Sequence, residues 1–377
     1  MAEIHGHCDT KFEKVRDAFG KNFDKGFEVG ASVAIAIDGE LVVDMWGGHT
    51  DMERTTPWQE NTLTNVWSST KTMMFLTLVY LADKGELSLY DKVAKFWPEF
   101  AQNGKENIEI RHLMAHTSGL SGFDAPMTHA DYEDFEKCAS LLAGQAPWWE
   151  PGTASGYHAI NQGFPIGEVV RRVTGETMGT FFRKNIAEPL NADFHIGTGP
   201  EHDDRSCFVI LPTDVPAAEI EPGSVAFKTF TNPLMDPSMA LTIGWRRAEI
   251  GAANGHGNAR SMAKIQSLMS NRGVSGGVRL MSEKAPEMVF DEQSNGVDLV
   301  IGVPVRFGMG YALNDNPPIT PSPNTCFWGG WGGSMVINDL DRRMTFCYAM
   351  NRMFVGGDST IGDDRGQSLL TAAYESL

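Results

Sequence analysis

Strand-like alternation of apolar and smaller or polar residues occurs near both ends of the chain and constrains the fold most strongly. Near the N-terminus, residues 31–37 and 41–46 flank Asp38-Gly39, a pair typical of a two-residue hairpin turn. Near the C-terminus, residues 334–338 and 344–350 alternate in the same way around a polar turn. These segments predict one antiparallel sheet that is assembled from both ends of the chain.

Helical patterns surround and separate these strands. Residues 10–25 carry apolar side chains every three or four positions, and residues 367–374 form a short helical run. Residues 85–285 are mainly helical and rich in loops, with repeated Pro and Gly. We therefore predict an α/β fold, in which residues 1–84 and 286–377 form the sheet with its flanking terminal helices and residues 85–285 form an inserted, mainly helical lobe. The cleft between the lobes is the expected place for a site.

The charge of the chain limits its partners. The formal net charge is −17 and the isoelectric point is near 5.0, which disfavours nucleic acid and anionic membrane surfaces. The N-terminus has no basic region followed by an apolar core, and no later apolar stretch is long enough to span a bilayer. We therefore predict a cytoplasmic protein that binds neither membranes nor nucleic acid.

The cysteine and histidine pattern gives no sign of a disulfide framework or a metal centre. The five cysteines are Cys8, Cys138, Cys207, Cys326 and Cys347. They are odd in number and far apart, which favours reduced thiols. His5-Gly6-His7-Cys8 carries metal-ligating side chains, but it belongs to a terminus that we expect to be floppy, without further matched ligands. We predict no metal and no cofactor.

A short polar stretch, residues 65–72, leads directly into the apolar run of residues 73–81 and contains Ser68-x-x-Lys71. If a helix starts at about Ser68, positions i and i+3 share one face, so the serine hydroxyl and the lysine amine approach each other. A neighbouring base activates a serine, and N–H groups at a helix N-terminus favour developing negative charge. The spacing therefore predicts a nucleophile for acyl transfer. The alternative is a serine that only caps the helix beside a solvated lysine.

Two other serines occur in patterns that resemble nucleophile motifs. Ser261 and Lys264 repeat the Ser-x-x-Lys spacing at the start of another helical run, and we interpret Ser261 as its N-cap. Ser275 lies in residues 273–277, which match the G-x-S-x-G nucleophile elbow. That elbow follows a strand and opens a helix, whereas this segment follows a helical run. We therefore predict that Ser275 is a loop residue.

Four motifs occur in an order that covers nearly the whole chain. They are Ser68-x-x-Lys71, His116-Thr117-Ser118-Gly119-Leu120, Pro151-Gly152-Thr153 with Tyr157 beyond it, and Trp328-Gly329-Gly330. In this order the chain resembles the superfamily of serine β-lactamases and penicillin-binding proteins, and within it the family VIII carboxylesterases. The resemblance implies a β-lactamase/DD-peptidase-like fold and catalysis through an acyl-enzyme. We interpret the second motif as a tight turn of the scaffold and assign no chemistry to it.

The resemblance gives Tyr157 a role in proton transfer. In the related families this tyrosine accepts the serine proton and returns it to the leaving group, and a phenol beside the Lys71 ammonium can be held as a phenolate. One position departs from class C β-lactamases, which carry Tyr-x-Asn, because Ala159 occupies the place of the asparagine. Asn161 could share a helix face with Tyr157, but it does not match the motif. The missing amide argues against antibiotic hydrolysis.

The segment Trp328-Gly329-Gly330 occupies the place of the β-lactamase Lys-Thr-Gly motif and precedes a strand. Its glycines allow an edge strand to approach the substrate closely, so we expect all three residues to bind substrate. The resemblance to family VIII esterases implies an oxyanion hole formed by the backbone N–H groups of Ser68 and Trp331. Trp328 replaces a cation that would help to hold a carboxylate, which favours neutral esters.

Together these patterns predict a serine hydrolase that cleaves short-chain neutral carboxylic esters through an acyl-enzyme on Ser68. Tyr157 and Lys71 move the protons, and water deacylates the enzyme. The expected partner is a small-molecule ester. Two alternatives use the same acyl-enzyme: an acyltransferase, in which an alcohol or amine replaces water, and a weak β-lactamase or D-amino peptidase.

Overall fold

A computed structural model of the protein describes residues 2–213, 220–315, 317–354 and 364–377. The strands are β1 Ile4–Cys8, β2 Gly30–Ile37, β3 Glu40–Gly48, β4 Thr64–Asn65, β5 His195–Ile196, β6 Gly255–Gly257, β7 Val274–Ser275, β8 Val278–Arg279, β9 Ser294–Val297, β10 Pro304–Phe307, β11 Ala312–Leu313, β12 Thr325–Gly329, β13 Met335–Asp339 and β14 Met344–Met350. The α-helices are α1 Glu13–Asp24, α2 Thr70–Asp83, α3 Ile110–Met114, α4 Phe135–Gly144, α5 Gly163–Thr174, α6 Met178–Phe182, α7 Val225–Thr231, α8 Ile243–Arg247, α9 Ala259–Ser270 and α10 Asp364–Tyr374.

An antiparallel sheet forms the centre of the described structure, with nine strands in the order β1-β3-β2-β14-β13-β12-β11-β10-β9. The predicted N-terminal hairpin is β2 and β3, and its turn has left-handed backbone at Asp38 and Gly39, with φ of +54° and +83°. The predicted C-terminal strands are β13 and β14. Because β14 pairs with β2, with Met350 opposite Ala31, both ends of the chain share the middle of one sheet. The predicted sheet is confirmed.

Both edges of the sheet contain strands that the sequence analysis does not predict. The expectation of a floppy terminus at residues 4–8 is wrong, because they form β1 and pair with β3. At the other edge, β9, β10 and β11 are short and show no regular alternation of buried and exposed residues. Such short segments join the sheet by pairing with a neighbouring strand, so the pattern of their own side chains does little to predict them.

Helices cover both faces of the sheet. The predicted terminal helices are α1 and α10, which pack together on one face, where Phe19 of α1 shares a buried cluster with Ile35 and Phe346. On the other face, α9 contacts β2 and β14, and the hydroxyls of Ser270 and Thr345 lie 2.8 Å apart. With both faces covered, every residue of β14 is buried. The predicted α/β fold with an antiparallel sheet and flanking terminal helices is confirmed.

Residues 85–285 contain most of the remaining helices. A small three-stranded sheet in the order β4-β6-β5 joins β4, which precedes this range, to two strands within it. Although α9 belongs to this range, it lies against the large sheet. The division into an α/β domain of residues 1–84 and 286–377 and a helical lobe of residues 85–285 stays a prediction. Across the described ranges, no helix combines the length and the apolar content of a membrane span.

Phe19→Ala should lower the free energy of unfolding by about 3 to 5 kcal/mol, because it leaves a cavity in a fully buried site between α1 and the sheet. Urea denaturation followed by circular dichroism measures the loss. Asp17→Ala, at an exposed position of the same helix, is the control and should change the free energy of unfolding by less than about 0.5 kcal/mol. Equal losses in the two variants would contradict this packing of α1.

Candidate active site

Ser68 lies in a tight turn between a strand and a helix. The strand β4 ends at Asn65, Trp67–Ser69 form a 3-10 turn, and α2 begins at Thr70. The α-helix thus starts just after the predicted position, and Ser68 stands, partly exposed, in the turn before it. Trp67 has a left-handed backbone with φ of +47°, a conformation that costs a non-glycine residue about 1 to 3 kcal/mol.

Neighbouring segments hold this turn in place. The Val66 N–H donates to the Gly255 carbonyl at 2.9 Å, which continues the pairing of β4 with β6. The buried side chain of Trp67 contacts the rings of Trp245 and Trp331, with centroids 5.5 and 5.1 Å away. These contacts stabilise the left-handed residue directly before the serine.

Lys71 is fully buried on the first turn of α2. Its Nζ lies 3.3 Å from Ser68 Oγ, 2.6 Å from the Ala159 carbonyl oxygen and 2.9 Å from the Ala252 carbonyl oxygen. Burial, with no compensating carboxylate among the described residues, holds the pKa of Lys71 well below its ordinary value. The sequence analysis misses both carbonyls, because a backbone atom leaves no residue-type signal.

The three polar neighbours of Lys71 can accept the three N–H groups of an ammonium, and they also suit a neutral amine, the form that burial favours. An amine has two N–H groups and one lone pair, whereas an ammonium has three N–H groups and no acceptor. If the two carbonyls accept the two N–H groups, the lone pair faces the hydroxyl of Ser68. In this arrangement Lys71 can take the serine proton, as a general base requires.

Tyr157 approaches Ser68 from another side. Its hydroxyl lies 2.6 Å from Ser68 Oγ, and its ring centroid lies 4.9 Å from Lys71 Nζ. Burial raises the pKa of Tyr157 to about 12, although the hydrogen bond with the Ser68 hydroxyl opposes this effect. Desolvation of Lys71 and of Tyr157 disfavours the ammonium and the phenolate, so the phenolate that the family resemblance implies for Tyr157 stays a prediction. The raised pKa favours a protonated Tyr157.

The His116 motif supports the loop that carries Tyr157. His116 has a left-handed backbone with φ of +61°, its Nδ1 accepts a hydrogen bond of 3.0 Å from the His158 N–H, and its carbonyl accepts one of 2.9 Å from the Gly156 N–H. Its ring centroid lies 5.0 Å from that of Tyr157. Burial holds the pKa of His116 well below its ordinary value and that of His158 at about 3, so both rings are neutral. These contacts agree with a scaffold role for the motif.

Asp298 fixes the Tyr157 loop from a distant part of the sequence, and the sequence analysis misses it. One carboxylate oxygen accepts hydrogen bonds from the N–H groups of Tyr157, Val300 and Ile301 at 3.0, 2.9 and 3.0 Å. The residue is only 1% exposed. The one available signal is an acidic residue inside the apolar run of residues 297–301, a place where a carboxylate needs hydrogen-bond partners.

Trp328 packs behind the tyrosine. It is buried near the end of β12, and its ring centroid lies 5.6 Å from that of Tyr157 and 5.8 Å from that of His116. Gly329, the last residue of the strand, is exposed. Trp328 thus contacts Tyr157, and its predicted role in binding substrate stays a prediction.

Gly330 and Trp331 approach the serine turn closely. A Cβ on Gly330 would lie 2.2 Å from the Val66 carbonyl oxygen, so only glycine fits there. The Ser334 hydroxyl donates to the same carbonyl at 2.7 Å. These contacts place the main chain of Gly330 against the turn that carries Ser68. The oxyanion hole formed by the N–H groups of Ser68 and Trp331 stays a prediction.

Ser261 has different surroundings from Ser68. It lies inside α9, whose N-cap is Asn258, so the prediction of Ser261 as the N-cap is wrong. Its buried hydroxyl accepts a hydrogen bond of 2.9 Å from the Asp193 N–H. The amine of Lys264 donates to the Asn191 carbonyl at 3.0 Å. This second Ser-x-x-Lys is a structural element of the helix.

Two other predicted features also differ in the structure. Ser275 is a strand residue of β7, which pairs with β8, so the prediction of a loop residue is wrong. No helix follows β7 directly, so its G-x-S-x-G match is not a nucleophile elbow. Asn161 and Tyr157 do not share a helix face, because both precede α5, and the Asn161 amide donates to the Leu120 carbonyl.

The histidines near the N-terminus lie on the edge strand β1, where His7 Nε2 is 2.7 Å from Asp9 Oδ1. Among the residues that the structure describes, no three His, Cys, Asp or Glu side chains form a group that could hold a metal ion.

A known protein family matches the chain over nearly its whole length. The family model described as Beta-lactamase matches residues 16–370. The chain belongs to the beta-lactamase family. This membership confirms the resemblance to the serine β-lactamase and penicillin-binding-protein superfamily that the four ordered motifs carry.

Similar members of the beta-lactamase family include esterases. The chain is 30% identical over 373 residues to Esterase/beta-lactamase LipL of Mycobacterium tuberculosis, a match that covers 93% of this chain and 83% of the relative. It is 31% identical over 347 residues to Esterase EstB of Burkholderia gladioli, covering 82% of this chain and 83% of the relative. A crystal structure of a family VIII carboxylesterase is 39% identical, has a TM-score of 0.93 and is matched over 100% of both chains.

A fluorophosphonate should label Ser68 rather than Ser261 or Ser275, because Ser68 is partly exposed and lies beside a base, whereas the other two serines are buried. Peptide mass spectrometry locates the adduct. Of the matched variants Ser68→Ala, Ser261→Ala and Ser275→Ala, the first alone should lose the label. An adduct on Ser275 in the wild-type protein would refute the assignment of the nucleophile.

Proposed function

We propose that this protein is a serine carboxylesterase with Ser68 as its nucleophile. One observation carries the proposal: Ser68 Oγ lies at hydrogen-bond distance from both Lys71 Nζ, at 3.3 Å, and Tyr157 Oη, at 2.6 Å. A base and an acid beside one hydroxyl are what acyl transfer requires. The esterase names of two relatives and the full-length likeness to a family VIII carboxylesterase support an ester as the substrate.

In acylation, neutral Lys71 takes the proton of Ser68 while Oγ attacks the carbonyl carbon of the ester. The N–H groups of Ser68 and Trp331 stabilise the oxyanion that forms. As the tetrahedral intermediate collapses, Tyr157 donates its proton to the leaving alkoxide, which departs as the alcohol. The acyl-enzyme then contains a Lys71 ammonium and a Tyr157 phenolate, and each stabilises the charge of the other.

Deacylation reverses these proton transfers, with water as the nucleophile. The Tyr157 phenolate takes a proton from the water, whose oxygen attacks the acyl carbon. When the second tetrahedral intermediate collapses, the Lys71 ammonium returns a proton to Ser68 Oγ and the carboxylic acid is released. The phenolate that the family resemblance implies thus belongs to the acyl-enzyme.

The proposed substrate is a short-chain neutral ester. Trp328 stands where β-lactamases carry a lysine, and Ala159 where class C enzymes carry an asparagine, so two groups that would bind a β-lactam are missing. Ala159 instead supports the base through its carbonyl. Val297 and Leu299 are exposed on the segment that fixes Tyr157, and they offer apolar surface to an alkyl group.

A slow β-lactamase activity is the second candidate, because the relative in Mycobacterium tuberculosis is named as both an esterase and a β-lactamase. An ester and a β-lactam use the same nucleophile and oxyanion hole.

Acyl transfer to an alcohol stays an alternative fate of the same acyl-enzyme. We also propose a cytoplasmic location, and the acidic sequence disfavours nucleic-acid and membrane partners.

The kcat/KM for a neutral ester should rise with pH as Lys71 loses its proton and then stay level to about pH 10. The direction of this pH dependence follows from two pKa shifts. Burial lowers the pKa of Lys71, so its base form exists below the usual range of lysine, and burial raises the pKa of Tyr157 to about 12, so the acid stays protonated. A pH–rate profile with p-nitrophenyl butyrate measures the effect.

Two variants serve as controls for this profile. Lys71→Arg should be inactive at every pH, because a guanidinium cannot give up its proton. Tyr157→Phe should lower kcat by about 10² to 10⁴, the usual contribution of a positioned acid or base. A wild-type profile that falls above about pH 9 would contradict the raised pKa of Tyr157, and wild-type activity in Tyr157→Phe would contradict its role in proton transfer.

The wild-type enzyme should prefer a short neutral ester to a cephalosporin. A charge-assisted hydrogen bond contributes about 1.5 to 3 kcal/mol, so kcat/KM for the ester should be higher by about 10-fold or more. Assays with p-nitrophenyl butyrate and a chromogenic cephalosporin compare the two, and Ser68→Ala gives the background for both. A higher kcat/KM for the cephalosporin would assign the natural substrate to the β-lactams.

A further inference from the structure

A buried arginine fastens the turn that carries Trp331 to the C-terminal helix. Trp331 and Gly332 are the central residues of this turn, which a hydrogen bond of 3.0 Å from the Gly333 N–H to the Gly330 carbonyl closes. Gly332 has φ of +90°, as the second central residue of a type II turn requires. Its carbonyl accepts a hydrogen bond of 2.9 Å from Nη2 of Arg365 on α10.

Arg365 is itself held on several sides and is only 1% exposed. Its Nη1 donates to a carboxylate oxygen of Glu28 at 3.0 Å and to the carbonyls of Phe27 and Arg352 at 3.2 and 3.1 Å. Glu28 also accepts a hydrogen bond from the hydroxyl of Tyr348 on β14. A planar guanidinium bonded in this way has little freedom, so it ties the Gly332 carbonyl to the central sheet.

Contacts with other segments also restrain the turn of residues 330–333. A Cβ on Gly332 would lie 2.9 Å from the Cα of Met353, so the turn packs against that segment. The Ser334 hydroxyl binds the Val66 carbonyl beside the nucleophile. Because Trp331 and Gly332 belong to one four-residue turn, the orientation of the Gly332 carbonyl and the direction of the Trp331 N–H are coupled.

We propose that Arg365 is a positioning residue for the oxyanion hole, which directs the Trp331 N–H at the substrate oxygen through the Gly332 carbonyl. The inference rests on the proposed function, because that function assigns the Trp331 N–H to the oxyanion. An arginine that served only to attach α10 would affect turnover through folding alone. Replacement of a positioning arginine also changes how the site recognises the reacting carbonyl.

An ester and the matching thionoester separate these two roles. Donors placed for an oxyanion discriminate against sulfur, which is larger and accepts hydrogen bonds more weakly. Arg365→Lys keeps a charge beside Glu28 but lacks the planar fork that reaches both Glu28 and Gly332. We expect kcat for the ester to fall by about 10- to 100-fold with little change in KM, and the ester-to-thionoester ratio of kcat/KM to fall by about 10-fold.

Leu369→Ala is the matched control, because Leu369 is a buried residue one helical turn after Arg365 on α10. It should lower the melting temperature and keep the wild-type ratio. If Arg365→Lys yields no folded protein, Glu28→Gln provides the test, since it removes the carboxylate that fixes the guanidinium, and the ratio should again fall.

Three results would overturn the inference. An unchanged ratio in the Arg365→Lys or Glu28→Gln protein would reduce Arg365 to a structural residue. An equal fall of the ratio in Leu369→Ala would assign the effect to general loosening of α10. A wild-type protein that hydrolyses neither substrate would overturn the proposed function, and this inference with it.

Discussion

Burial of Lys71, with no carboxylate beside it among the described residues, is the constraint on which the site depends. Lys71 is out of contact with water, and its nitrogen meets two backbone carbonyls and one hydroxyl. A buried ammonium without a counter-charge is unfavourable, so the environment stabilises the amine. In the proposed mechanism the protein thereby obtains a base without using a histidine. The two carbonyls belong to Ala159 and Ala252, so segments far apart in the sequence must come together before that base exists.

Burial shifts the two proton-transfer groups in opposite directions, since it lowers the pKa of Lys71 and raises that of Tyr157. These shifts favour the neutral form of both groups, Lys71 as a proton acceptor and Tyr157 as a proton donor. In the proposed cycle, charge appears on them only in the acyl-enzyme, as an ammonium and a phenolate whose sum is zero. Two neutral groups beside the nucleophile suit a substrate that carries no charge.

The centre of the sheet and three site residues could be predicted from the sequence, because each leaves a signal in residue types. The strands β2, β3, β13 and β14 alternate, Ser68 and Lys71 share a helical spacing, and Tyr157 follows from the order of the motifs. Other features could not be predicted, because they depend on backbone geometry or on partners distant in sequence. Backbone geometry accounts for the left-handed Trp67, the edge strands and the carbonyls around Lys71. Partners distant in sequence account for Asp298 and Arg365.

The pairing of β2 with β14 has a consequence for the synthesis of the chain. Ala31 lies opposite Met350, so the middle of the sheet cannot close until nearly the whole chain has left the ribosome. Until then the hairpin of β2 and β3 presents an unpaired strand edge, which is a template for pairing with the wrong chain. Contacts between such distant residues also form slowly. Arg365 emerges later still, so the turn of Trp331 is among the last parts of the molecule to reach its final shape.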